Sequence, residues 1–310
     1  MNRSITIIVP VFNEADIIEE AINQISEIAS KWRYDFSIVC VNDGSSDTTQ
    51  EVLERCAHKN SKLKIISLSR NFGHQIAFTA GLDAALGDAI IIIDADLQDP
   101  PEVMTTFIEK WNEGYEVVYG KRIIREGESV FKTMTASVFY RIIDSLSDTK
   151  IPHDVGDFRL MDRKVVNILM KMPERHRFIR GMVSWIGFKQ CSVEYVRRPR
   201  IGGVTKFSKR KMFNFALDAI FSFSITPLKV STYLGLFTIS LSLFGIIFTL
   251  FRRILTEAWV TGWTALIISI LFLGGVQLLT IGVIGQYIGR TFEQVKGRPL
   301  YIIDKKVNIE

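Results

Sequence analysis

Cysteine is scarce in this chain: Cys40, Cys56 and Cys191 are the only three. They are too few and too scattered for a disulfide framework or a zinc site, and they suit a reducing compartment. No internal repeat and no low-complexity linker interrupts the 310 residues, a length that suits one or two domains with a substantial core. No amino-terminal signal peptide is expected, because the apolar run at residues 5–9 is short and leads into a polar helix. Net charge is modest at +5, with basic residues clustered between Arg197 and Lys211. Such a cluster can face nucleic acid, a phosphorylated substrate or an anionic membrane. Confined to one loop, it lacks the broad basic face that a nucleic-acid partner requires, so none is expected.

What is present is an alternation of apolar strands and charged helices over the first two thirds. Residues 5–11, 36–41, 63–68 and 90–93 read as strands, a fifth starts at Val117, and helices lie between them, the first spanning 14–30. This β-α-β-α rhythm predicts an α/β domain with a mostly parallel sheet and right-handed crossovers. Less regular sequence follows: a helix at 129–146, a short segment at 158–160, helices at 165–170 and 179–185, and a strand at 189–196. The organising stretch is IIIIDADLQDPPE, residues 90–102. Its isoleucines read as a strand buried on both faces, and a ligand in such a sheet sits beyond the carboxyl ends of the strands. Asp94 and Asp96 emerge there, where paired carboxylates can hold Mg²⁺ or Mn²⁺ against a diphosphate. Asp99 reads as the N-cap of a helix with Pro100 and Pro101 in its first turn.

The remaining third changes character. Residues 208–223 form an amphipathic pattern, with Phe213, Leu217, Ile220 and Phe221 on one face and Lys211, Asn214, Asp218 and Ser222 on the other. Opened by Lys209, Arg210 and Lys211, it suits the plane of an anionic bilayer surface. Residues 230–251 and 258–289 are uncharged and each long enough to cross a bilayer, with Arg252, Arg253 and Glu257 between them. Two crossings return the chain to its starting side. Arg290, Lys296, Arg298, Lys305 and Lys306 favour the cytoplasm for both ends, against the weaker pull of Arg252 and Arg253. The expected organisation is a domain at 1–207, an interfacial helix at 208–226, two transmembrane helices at 227–289 and a tail at 290–310. A strand at 300–303 could pair with a neighbouring subunit's edge, so a homo-oligomer through spans and tail is expected.

Taken together, VPVFNEADII, VNDGSSDTT, NFGHQIAFTAGLDAALGD, DADLQDPPE and DVGDFRLMDR resemble the family 2 glycosyltransferases of the polyisoprenyl-phosphate type. Relatives of that type are dolichol-phosphate mannose synthase and the bacterial undecaprenyl-phosphate glucosyltransferases, and the two apolar segments match the latter branch. The resemblance implies a nucleotide-sugar-binding domain of the glycosyltransferase A type and inversion at the anomeric carbon. It implies transfer of a hexose, glucose first, from a UDP-sugar to undecaprenyl phosphate at the cytoplasmic face of the bacterial inner membrane. Mannose from GDP-mannose, or a modified pentose from UDP, is the alternative. A processive polysaccharide synthase is disfavoured by the lack of a Gln-x-x-Arg-Trp segment.

The resemblance also assigns residues. Pro10 and Glu14 match the nucleotide-contacting first loop, and Asp43 matches an aspartate that accepts a hydrogen bond from the base. Asp94 and Asp96 match the metal and nucleotide pair, and Gln98 can join the metal shell. Arg200 and Lys206 follow the pattern Arg-x-x-Gly-x-(Ser/Thr)-Lys, with a second glycine in the segment, and are assigned to the donor. Arg122, in a Gly-Lys-Arg match, and Lys132 are assigned to the acceptor phosphate. Asp157 matches the catalytic carboxylate, as base or as orienter of the nucleophile, with Asp154 and Arg159 as supports. A phosphate monoester loses its second proton near neutral pH, so a strong base is less necessary than cations that bring two anions together.

Overall fold

The computed structural model describes residues 3–123, 155–198, 226–256 and 262–309. The expected helix at 129–146 and the amphipathic stretch at 208–223 lie outside them, as do Lys132, Asp154, Arg200 and Lys206. The chain divides into two compact units, one holding a sheet and the residues from Arg298 onward, the other two long helices.

The first unit alternates as the sequence predicts: β1 (Ser4–Val11), α1 (Ile18–Ser30), β2 (Asp35–Asn42), α2 (Thr49–Lys59), β3 (Leu63–Leu68), α3 (His74–Ala84), β4 (Ala89–Ile92) and α4 (Val103–Asn112). Then come β5 (Val117–Arg122), β6 (Val155–Asp162), α5 (Arg163–Lys171), α6 (Ile179–Ile186), β7 (Gln190–Tyr195) and, at the far end, β8 (Ile303–Val307). Eight strands form one sheet in the order β7-β5-β6-β4-β1-β2-β3-β8.

Strand β1 carries side chains into both layers, because successive residues point to opposite faces. Ile5, Ile7, Val9 and Val11 join one cluster with Ile18, Ile22, Leu53 and Phe107 from the helices of that side. On the other face α3 lies so close that a Cβ on Gly81 would collide with Ile8. Burial on both faces is why these strands read as continuous apolar runs.

Two departures matter. First, the short segment expected at 158–160 is the eight-residue strand β6, which pairs antiparallel with both β4 and β5. It separates two strands that a simple parallel reading would place side by side. Second, the tail strand lies at Ile303–Val307 rather than 300–303 and pairs antiparallel with β3 of the same chain. Within this chain the edge of β3 is thus occupied by β8. An edge strand presents unpaired N–H and C=O groups to whichever strand reaches it.

The second unit consists of α7 (Thr226–Thr256) and α8 (Trp263–Val295). Both are long and apolar enough to cross a bilayer, over Thr226–Gly245 and Phe272–Val295 with mean hydropathies of 1.3 and 1.4. Large apolar side chains such as Phe237, Phe244 and Leu278 are exposed along them, an arrangement that suits a hydrocarbon solvent.

Candidate active site

Strand register brings the acidic residues to one edge. Ile8 pairs with Ile92, and Ile93 N–H donates to the Ile8 carbonyl (3.1 Å), so Pro10 lies level with Asp94. Val11 pairs with Asn42, and Asp43 N–H donates to the Val11 carbonyl (2.9 Å). Because β6 runs antiparallel and Arg159 faces Ile92, Asp157 falls beside Asp94. This is where β2 and β4 leave β1 in opposite directions, the crevice in which open α/β sheets bind ligands.

The first loop is stapled to the β2–α2 turn. Asn13, at φ +52°, donates its N–H to Ser45 Oγ (2.9 Å), and Glu14 N–H donates to Thr49 Oγ1 (3.0 Å). The helix expected from residue 14 starts at Ile18, since this loop holds the preceding residues in turns. Asp43 is buried, and its two oxygens accept the N–H groups of Phe72 (2.7 Å) and Gly73 (2.9 Å). Burial raises its pKa against the pull of those donors. Asp43 therefore fixes the β3–α3 loop, and a base contact would use its remaining lone pairs. Gly44, at φ +63°, backs onto Arg70, where a Cβ would collide with the carbonyl carbon.

In the acidic loop, Leu97 adopts φ +54° and Gln98 N–H donates to Asp96 Oδ1 (3.2 Å). His74 Nε2 stands 3.3 Å from Asp94 Oδ1, yet the geometry leaves that buried oxygen without a hydrogen bond among the described residues. Two carboxylates and the Gln98 amide on one loop, one oxygen unsatisfied, fit a hard divalent cation. Among the described residues, this loop included, no group of three or more His, Cys, Asp and Glu is arranged to hold a metal ion.

His74, where the sequence pattern shows only a helix start, stands beside Asp94 and Asp157. Burial disfavours its charged form, but Asp94 and Asp157 (3.9 Å to Oδ2) outweigh this and raise its pKa to about 9. The stabilisation from the imidazolium is thus present below the ordinary pKa of 6.5 and lost as pH rises through about 9. In metal-free protein, His74→Gln is expected to cost about 1 kcal/mol below neutral pH, screened because the imidazole is half exposed. The difference from wild type should fade between pH 6.5 and 9, and urea titrations at either end of that window check it. An unchanging difference would refute the pairing.

Asp157 is buried, and Arg180 Nε and Nη2 grip its Oδ1 and Oδ2 at 2.8 and 3.1 Å. Gln75 Nε2 adds a hydrogen bond to Oδ2 at 3.2 Å. Burial works against ionisation here, but Arg180, His74 and Arg159 overcome it and hold the carboxyl well below the usual range. Arg159 supports the strand by donating to the carbonyls of Gly156 (3.0 Å) and Asp157 (3.3 Å). Burial lowers its pKa to about 10.

The cap expected at Asp99 is not observed. α4 begins at Val103, preceded by Glu102 with no side-chain capping bond. Asp99 is fully buried instead, its Oδ1 accepting Tyr195 O–H at 2.6 Å. Arg122 Nη2 approaches Oδ2 and Arg197 Nε approaches Oδ1, each at 3.6 Å. A cap faces solvent, whereas a buried carboxylate needs cationic partners. Arg122 also donates to Tyr195 Oη (3.2 Å) and lies against Gly156, beside Asp157.

An α/β sheet whose carboxyl edge gathers acidic and cationic side chains around a crevice is a frame in which nucleotide ligands bind. The model of glycosyl transferase family 2 matches residues 6–169. The SfII prophage-derived bactoprenol glucosyl transferase of Shigella flexneri is 44% identical over 301 residues, covering 97% of each chain. An uncharacterized glycosyltransferase of Synechocystis is 47% identical over 310 residues, covering 100% of this chain and 98% of the relative. Among solved structures, glucosyl-3-phosphoglycerate synthase from Mycobacterium tuberculosis has a TM-score of 0.49 at 16% identity, covering 71% of this chain and 78% of that one. The chain belongs to glycosyl transferase family 2 and is a glycosyltransferase.

Proposed function

We propose that this glycosyltransferase moves a hexose, glucose first, from a UDP-sugar to a polyprenyl phosphate at the cytoplasmic face of a bacterial membrane, with inversion. The observation that carries the reading is near-full-length similarity, both apolar helices included, to a bactoprenol glucosyl transferase. The acceptor of such a reaction is a membrane lipid, which gives two membrane-length helices on a transferase a purpose.

Pro10, Glu14 and Asp43 would line the nucleotide side of the crevice. Asp94, Asp96 and Gln98 would hold Mg²⁺ or Mn²⁺, which neutralises charge on the departing diphosphate when bound. Arg122, at the end of β5 beside Asp157, would meet the acceptor phosphate. Lys132, Arg200, Lys206 and the support Asp154 keep the roles the resemblance implies. The acceptor phosphate attacks as an anion, so the chain's task is to gather cations around two negative groups.

The test incubates purified protein with undecaprenyl phosphate, Mg²⁺ or Mn²⁺, and radiolabelled UDP-glucose, UDP-galactose or GDP-mannose. Label is expected in the lipid from UDP-glucose and is expected to disappear with EDTA. Label from GDP-mannose alone would overturn the donor, and no labelled lipid from any donor would overturn the acceptor.

A further inference from the structure

Asp157 is the residue on which the reaction is expected to turn, yet its carboxylate is already engaged at both oxygens. We propose that Arg180 is a positioning residue for sugar transfer, holding Asp157 as an oriented anion rather than leaving it as a proton acceptor. This deepens the function proposed above and rests on it.

The geometry is specific. Nε to Oδ1 at 2.8 Å and Nη2 to Oδ2 at 3.1 Å form a two-point fork, the arrangement that fixes a carboxylate's plane as well as its place. Gln75 reinforces it from α3: its Nε2 donates to Oδ2 at 3.2 Å while its Oε1 accepts Ile179 N–H at 3.1 Å. Ile179 directly precedes Arg180 at the start of α6. One glutamine therefore ties the carboxylate to the helix end that delivers its arginine. Arg159, next to Asp157 but one, sends its donors to backbone carbonyls. The carboxylate's guanidinium partner therefore comes from α6, 23 residues along the chain. The side chains of Asp157 and Arg180 are 8% and 26% exposed, so water competes weakly for the pair.

The arrangement agrees with the chemistry of the acceptor. A phosphate monoester near neutral pH is already a nucleophile. Proton removal is not the need, and a carboxylate fixed by a cation can serve.

A double-mutant cycle in the full-length enzyme tests this, read as kcat and KM for the donor. R180A and D157A are each expected to lower kcat by about 100-fold, the scale of a small misplacement at a reacting centre. KM should stay within about threefold, and the double variant should be no slower than the slower single. Added guanidinium should restore part of the R180A rate and none of the double variant's. R180K should remain slow, because an ammonium cannot supply the fork. Multiplying effects in the double variant, or an R180A that keeps most of its kcat, would overturn the proposal. Rescue by guanidinium separates lost positioning from a damaged fold. Should the wild type hydrolyse donor without labelling lipid, the acceptor reading fails, and the same cycle read on hydrolysis still decides the role of Arg180.

Discussion

Asp96→Ala is expected to lower sugar transfer by about 10³-fold while leaving the fold in place, the scale seen when one electrostatic contact to developing charge is removed. Asp96 is nearly buried at the carboxyl edge of the sheet and orders its own loop through the Gln98 N–H. Losing that bond should cost stability only about 1 kcal/mol. The large effect is therefore on rate, because two anions must meet and a diphosphate must leave. Initial rates with labelled donor, set beside the thermal unfolding midpoint, separate the two consequences. An undiminished rate would remove Asp96 from the metal site. A lost transition would mean the loop, not the chemistry, had failed.

Phe158→Ala is expected to destabilise the sheet unit by about 3–5 kcal/mol. The ring is 1% exposed, with centroids 4.6 Å from Phe107 and 5.8 Å from Tyr195. It stands between Asp157 and Arg159 on β6, and alternation sends those two side chains to the opposite face. Truncation would open a cavity behind the strand that carries Asp157, so activity should fall together with stability. That cost is a large part of the 5–15 kcal/mol typical of a domain. Urea unfolding of the detergent-solubilised chain measures it, and a loss below about 1 kcal/mol would show that the core closes over the gap.

Much of this is legible in the amino-acid sequence alone. The strands β1 to β4 announce themselves as apolar runs, because burial on both faces leaves them no polar side. The acidic loop follows from where one of those runs stops. β6 was hidden by its own chemistry: Asp157 and Arg159 interrupt it, and two buried charges look like a loop until they are seen to be compensated. Asp99 misled for a similar reason. Its position before two prolines fits a cap, and only the arrival of Arg122 from β5, Tyr195 from β7 and Arg197 just beyond β7 shows why it can be buried. His74 was within reach, since it follows β3 at the same sheet edge as Asp43 and Asp94. Arg180 was not, because its partner is chosen by how α6 packs and no spacing in the chain encodes that.

The pairing of β8 with β3 has a consequence for how the protein is made. Residues 63–68 leave the ribosome early, and the strand that covers their edge is translated only after both long apolar helices. Throughout that interval the sheet carries a row of unpaired peptide groups, the kind of border that recruits stray strands. Assembly of the sheet is complete only once both apolar helices have been synthesised, so a chain arrested between α7 and β8 should be the aggregation-prone species.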